Sequence, residues 1–193
     1  MDLFDSIKKR RSVRKFKDRE VEKEKLGLLL DSCKWAPSAG NRQPWEVYIV
    51  KDEKKKELLA KSAWGQDWIV DAPVIIVMGI NKDLAESHYG ERGEKLYAHQ
   101  STAAAIQNML LTATSLDLGS CWVGAFEEKE VSEVLECPNK VRPVAMIPLG
   151  YPAENPKPPL RHEIGDFVHV DKHGGTNEWN WKGIKHYLDK LKK

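Results

Sequence analysis

Residues 10–14, Arg10-Arg11-Ser12-Val13-Arg14, place three guanidinium groups and one hydroxyl within five positions. A guanidinium can give paired, charge-assisted hydrogen bonds to phosphate oxygens, and a serine hydroxyl adds a compact donor. In extended backbone the side chains alternate, so Arg10, Ser12 and Arg14 face one way and Arg11 the other. Such a strip suits the grip of an anion, phosphate above all. The plain alternative is a solvated basic turn after a short helix.

Two further stretches carry directed donors. Ala36–Trp45 (APSAGNRQPW) is dense in turn formers and amides, and Ser38, Asn41 and Gln43 could face a polar heterocycle. Capping and turn duty is its plain alternative. The third stretch is Trp122-Val123-Gly124-Ala125-Phe126, taken with Lys157 and Arg161 further on. A glycine at 124 lets a ligand approach the backbone, which turns the neighbouring N–H groups into donors. A simple strand-to-helix turn is the alternative there.

Other chemistries lack their residues. The chain has no GxGxxG, no GxxxxGK[ST] and no HExxH. Its six histidines, His88, His99, His162, His169, His173 and His186, do not group at ligand spacing. The three cysteines are an odd number without a CxxC pair, so neither a zinc site nor a disulfide framework is expected. Cys121 sits in an apolar stretch and reads as a structural thiol. A net charge of +2 gives no global field toward nucleic acid or membrane. No apolar run is long enough to span a bilayer. No basic-then-apolar leader opens the chain, and a reduced, cytoplasmic setting is expected.

The elements that must hold these stretches can be read from periodicity. Leu3, Phe4 and Ile7 mark a short first helix, and Val21–Trp35 a second, with Leu26, Leu29, Leu30 and Cys33 inward. Pro37 stops it near Ala36. Glu46–Val50 reads as a strand, and Asp52–Ala63 as a helix with Leu58 and Leu59 inward. Ala72–Ile80 reads as a central buried strand. Residues 81–95 read as polar and irregular. Tyr97–Leu116 is the longest expected helix, with Ala103, Ile106, Met109, Leu110 and Ala113 on one face and Gly119 as its terminator. Ser120–Val123 and Val144–Leu149 read as strands, with a helix between them marked by Val131, Val134 and Leu135. A proline-rich connection spans Gly150–Arg161, and Trp181, Ile184, Leu188 and Leu191 form a stripe on a last helix. At 193 residues this predicts a single α+β domain with helices covering a central sheet.

Taken together, the stretches resemble the nitroreductase family of FMN-binding oxidoreductases. The resemblance runs through Arg10–Phe16 (RRSVRKF), Ala36–Trp45, Leu118–Phe126 (LGSCWVGAF) and Ile147–Arg161 (IPLGYPAENPKPPLR), in the family's order. It implies a mixed sheet sandwiched by helices and a domain-swapped homodimer with FMN at the subunit interface. A C-terminal extension of about residues 162–193 would contact the partner. By position, Arg10, Arg11 and Ser12 would hold the phosphate, with Lys157 and Arg161 closing it from the other side. Arg14 would lie toward the pyrimidine end of the flavin and tune it. Pro37, Ser38 and Ala39 of the other subunit would line the ring, with Asn41 and Gln43 at its polar edge or supporting the loop. Val123, Gly124 and Ala125 would approach N5.

The implied activity is hydride transfer from NADH or NADPH, through FMN, to a small electrophilic acceptor such as a nitroaromatic or a quinone. The cofactor carries that chemistry, so no catalytic triad or metal is required. Specialised flavin chemistry within the family, reductive dehalogenation or flavin breakdown, is an alternative. A non-catalytic module holding nucleic-acid phosphates on Arg10, Arg11 and Arg14, with tryptophans stacked on bases, is another. The region Trp64–Tyr97, with Gln66, Trp68 and Tyr89, and the tail from Gly174 match no motif, so the acceptor stays open.

Overall fold

Four strands build the sheet: β1 (Trp45–Val50), β2 (Val74–Asn81), β3 (Gly119–Ser120) and β4 (Val141–Gly150), in spatial order β1-β2-β4-β3. Their pairings are antiparallel. A parallel bridge from Ser12 to Ser120 adds the N-terminal strip to the β3 edge and makes the sheet mixed. The computed structural model describes residues 1–175 and 182–191.

The sandwich follows from β2. Its run VIIVMGIN is buried at every position, and successive side chains must point to opposite faces. Val74, Ile76 and Met78 pack with Ala145, Ile147 and Leu149 of β4 against α2 (Lys23–Lys34) and α5 (Ala98–Ser115). Ile75 and Val77 pack with Met146 on the other face, against α3 (Glu53–Ser62) and α6 (Glu128–Val134). α2 presents Leu26, Leu29 and Cys33 inward, and α5 presents Ala105, Ile106, Met109, Leu110 and Ala113. Each such side chain, taken from water, contributes about 1.5–3 kcal/mol when it is a large aliphatic. α1 (Leu3–Lys9), capped by the Asp2 carboxylate on the Asp5 N–H, runs directly into the arginine strip.

Several expectations change. Residues 81–95 are helical: α4 (Lys82–Arg92) starts on an Asn81 cap that accepts the Leu84 N–H. It bends at Gly90, and a wider turn, Gly93–Tyr97, joins it to α5. A polar surface helix with a mid-helix glycine gives little periodic signal. Leu58 points outward at 46% exposure; Leu59 and Lys56 take the inner positions. The Lys56 stem is covered, and its ammonium donates to the Val70 and Ala72 carbonyls at 3.1 and 3.0 Å. α5 is ended by Asp117 in the left-handed region (φ 60°), not by Gly119. Gly119 serves close approach instead: a Cβ there would stand 2.9 Å from Val13 Cγ1. Its lack of a side chain lets the arginine strip lie on β3.

The chain divides into two compact units, Met1–Pro156 and Lys157–Lys193. Lys157 and Arg161 belong to the second. That unit holds α7 (Ile164–Phe167), started by a reciprocal cap between Glu163 and Asp166, and α8 (Ile184–Leu191). Trp181 and the side chains of Leu188 and Leu191, three of the four residues of the expected stripe, lie outside the described residues.

Candidate functional site

The N-terminal strip is anchored from three sides. Val13 N–H donates to the Ser120 carbonyl at 3.0 Å. Farther along, Lys17 N–H donates to Tyr151 O at 2.8 Å, Ala153 N–H to Lys15 O at 2.9 Å, and Phe16 bridges Pro152. Glu154 Oε1 accepts the Arg14 N–H at 2.6 Å and the Lys15 N–H at 3.2 Å. Residues 10–17 therefore form a fixed edge strip, and the side-chain alternation expected of extended backbone is realised.

Arg10, Ser12 and Arg14 share the side occupied by Cys121. Burial pushes that thiol up from its ordinary range, while the Arg14 guanidinium, the Ser12 hydroxyl and Arg10 pull it down. The protonated thiol behaves as packing, in keeping with the structural reading of Cys121. Arg14 is exposed, and its guanidinium stands 5.7 Å from the Trp68 ring centroid. Arg11, expected beside Arg10 and Ser12 on the phosphate, is turned away. Its Nη1 donates to Lys8 O at 2.6 Å and Arg10 O at 2.7 Å, closing the C-terminus of α1. Arg11 lines a cavity of about 250 Å³ with Lys9, Asp117, Pro152 and Glu154.

The third stretch joins this side. Val123 is pinned to β4 by reciprocal 2.9 Å hydrogen bonds with Met146. Gly124 and Ala125 then leave the sheet and are exposed, and their N–H groups donate to nothing among the described residues. A Cβ on Gly124 would find only Trp122 Nε1, at 3.8 Å. The chain's own packing thus leaves room in front of this backbone. The Gln66 side chain donates to Ala125 O at 3.3 Å, and Trp64 Nε1 to Glu127 at 2.9 Å. These bonds bring the 64–68 loop over the same place. Gln66 and Trp68, which no motif marks, belong to the site's surroundings, as does Glu154, which lies within the Ile147–Arg161 stretch although the resemblance implies no role for it.

The second stretch does not join. Pro44 O accepts from Asn81 N–H, and Trp45 pairs with Ile80, which pairs with Arg142 at the start of β4. Ser120 pairs with Leu149 near its end. Along β4 the two places are roughly 20 Å apart at strand rise. The Pro37–Gln43 loop packs instead against α4 and α5. Ala39 N–H donates to Ser101 Oγ at 3.3 Å, Arg42 bonds Ser87, and the Tyr89 hydroxyl lies over Gly40. Its amides are engaged with one another: Gln43 N–H donates to Ser38 Oγ at 3.0 Å, and Gln43 Nε2 to Asn41 Oδ1 at 3.2 Å. Asn41 and Gln43 both take positive φ, 53° and 49°. Within one chain these residues shape a loop.

The donor set in the first unit fits FMN. Arg10 and Ser12 suit a phosphate, exposed Arg14 suits an electron-rich ring edge, and the open backbone at Gly124 suits close approach of a flat ring. Among the described residues no group of three or more His, Cys, Asp or Glu could hold a metal ion. No described helix is long and apolar enough to cross a membrane.

An α+β sandwich with this arginine-bearing edge defines an FMN-dependent oxidoreductase class, and comparison gives the family. The model of the Nitroreductase family matches residues 7–66 and 59–151, and the chain belongs to that family. A Methanothermobacter thermautotrophicus relative, named a candidate NADH dehydrogenase/NAD(P)H nitroreductase, is 35% identical over 162 residues, 81% of this chain and 80% of its own. The FMN reductase [NAD(P)H] of Bacillus subtilis is 28% identical over 177 residues, 84% of this chain and 71% of its own. A crystal structure of a nitroreductase family protein from Streptococcus pneumoniae superposes with a TM-score of 0.80 at 26% identity, over 87% of this chain and 99% of that one.

Proposed function

We propose that this protein uses NADH or NADPH to reduce a small electrophilic acceptor, such as a nitroaromatic or a quinone, at FMN held between two copies of the chain. Bound FMN would supply the hydride chemistry. Arg10 and Ser12 would hold its phosphate. Arg14 would sit toward the pyrimidine edge. The Gly124 and Ala125 N–H groups would face the central ring near N5. Pro37, Ser38 and Ala39 of the second copy would cover the ring, excluding water from the place of transfer.

The observation that carries this reading is the Ser12–Ser120 bridge. It sets the arginine side of the strip beside exposed backbone whose Gly124 and Ala125 N–H groups have no partner among the described residues. The separation of the Pro37–Gln43 loop supports the homodimer, since a flavin held by one chain's arginines needs its cover from elsewhere.

The test is reconstitution with FMN, then anaerobic reduction by NADH or NADPH and reoxidation by a panel of quinones, nitroaromatics and halogenated phenols. The expected result is a flavin spectrum bleached by the nicotinamide donor and restored by at least one acceptor. Double-reciprocal plots should be parallel, because donor and acceptor use one slot in turn. A protein that takes up no FMN contradicts the proposal.

A further inference from the structure

We infer that Glu154 is a positioning residue of the flavin site: its carboxylate fixes the Arg14 peptide, so that the guanidinium is held over Trp68 rather than free to swing into solvent. This inference rests on the FMN reading above.

The geometry is specific. One oxygen, Glu154 Oε1, takes two consecutive backbone donors, Arg14 N–H and Lys15 N–H. The pairing with β3 ends at Val13, and the pairing with Tyr151 and Ala153 engages Lys15 O and Lys17 N–H. The Arg14 and Lys15 amides thus fall in a gap between two ladders, and Glu154 fills it. Hydrogen bonds to a charged acceptor are about twice as strong as neutral ones, which favours the hold even though both bonds are exposed to solvent.

The carboxylate engages the Arg14 and Lys15 backbone, and no ion pair joins it to the Arg14 guanidinium among the described residues. The cation therefore stays available to a ligand while its peptide is immobilised. Glu154 still brings a negative charge close to Arg14; the Cys121 thiol registers both, drawn down by Arg14 and up by Glu154. The residue thus has two separable effects. Its hydrogen bonds place Arg14, and its charge opposes Arg14.

Two substitutions separate them. Glu154→Gln keeps a carbonyl oxygen for both N–H groups and removes the charge. Glu154→Ala removes acceptor and charge together. FMN titration of wild type and both variants should show a Kd raised about tenfold or more in Glu154→Ala. In Glu154→Gln the Kd should stay within about threefold of wild type. A dye-coupled redox titration should show Glu154→Gln favouring reduced over oxidised FMN by about three- to tenfold more than wild type, or about +15 to +30 mV for a two-electron couple. A merely structural residue would shift the melting temperature and leave this potential in place.

Amide hydrogen exchange on the protein without FMN gives an independent readout. Arg14 and Lys15 should be protected in wild type and in Glu154→Gln, and unprotected in Glu154→Ala. Wild-type FMN affinity in Glu154→Ala, equal weakening in both variants, an unchanged potential in Glu154→Gln, or unaltered amide protection would each overturn the inference. A wild-type protein that binds no FMN but keeps the exchange pattern would instead reject the flavin reading, with Glu154 still shown to hold the strip.

Discussion

The two ends of β4 are built from similar vocabularies and do opposite things. Near Leu149, the strip Arg10–Arg14 and the turn Val123–Ala125 leave polar groups open: the Arg14 guanidinium is exposed and two N–H groups lack partners among the described residues. Near Arg142, the loop Pro37–Gln43 is just as rich in amides and hydroxyls, yet Ser38, Asn41 and Gln43 satisfy one another. A polar loop that closes on itself offers shape. A polar strip held by its backbone offers side chains and N–H groups. On the proposed reading, the first end would grip the flavin and the second would cover it.

The sharpest way to break this comparison is within the strip. Arg10→Ala should raise the FMN Kd about 10- to 150-fold, the loss of one charged hydrogen-bonding partner. Arg11→Ala, one residue on, should leave it within about twofold and cost about 0.5–1.5 kcal/mol of stability through its lost bonds to Lys8 O and Arg10 O. Isothermal titration and urea melts of the two variants separate ligand grip from helix capping. Equal FMN losses would return Arg11 to the phosphate.

The backbone half of the grip is tested at Gly124. A Cβ there meets nothing closer than 3.8 Å, so Gly124→Val should melt like wild type. Its isopropyl group would occupy the space left for the ring and should weaken FMN by about 1–3 kcal/mol, the usual range for overpacking. Normal FMN affinity in a well-folded Gly124→Val protein would move the ring elsewhere.

Arg14 should act on the potential as well as on affinity. A cation near the pyrimidine edge favours the reduced, more negative state. At about 4 Å and an effective dielectric of ~20 this reaches roughly 4 kcal/mol as a ceiling. Solvent at an exposed cleft cuts it to about 1–2 kcal/mol, so Arg14→Gln should lower the midpoint potential by roughly 20–45 mV. An equal or higher potential in the variant would place Arg14 away from that edge.

The smallest expected effect comes from the clamp behind the strip. Tyr151 O–H donates to Glu22 at 2.8 and 2.7 Å to its two oxygens, Lys25 donates to Tyr151 at 2.9 Å, and Arg19 stacks 3.8 Å over the ring. The Tyr151 hydrogen bond leads the effects that lower the Glu22 carboxyl to about 2. A carboxyl depressed in the folded state stabilises it above the unfolded value of about 4.5, and that stability is lost as pH falls toward 2. Wild type should therefore lose stability between those limits more steeply than Tyr151→Phe. Identical acid profiles would remove the clamp from the account.

Much of this molecule was legible because its signals are local. β2 announces itself as an unbroken apolar run, and the alternation that sends Arg11 away from Arg10 and Ser12 is a property of any extended strip. The misreadings are places where distant packing decided. Leu58 lost its inner position to the Lys56 stem, whose ammonium reaches carbonyls 14 and 16 residues on. α4 has too little periodicity to show, and is held by Asn81 and by packing on the Arg42 loop. Glu154 meets Arg14 across 140 residues, so no spacing could reveal it. The family motifs supplied the cofactor and the expectation that grip and cover come from different copies; what they did not show is that the Pro37–Gln43 loop and the arginine strip stand at opposite ends of β4.

The most direct test of that division is complementation between two damaged proteins. Arg10→Ala spoils the gripping end and Pro37→Trp spoils the covering end, and each alone should bind FMN weakly. If one chain grips what its partner covers, mixing the two under conditions of subunit exchange creates heterodimers with one intact site. Titration of the mixture should then reveal a new class of sites with wild-type affinity. A mixture that binds no better than its two components, although mass measurement shows that heterodimers have formed, would mean that grip and cover come from the same chain.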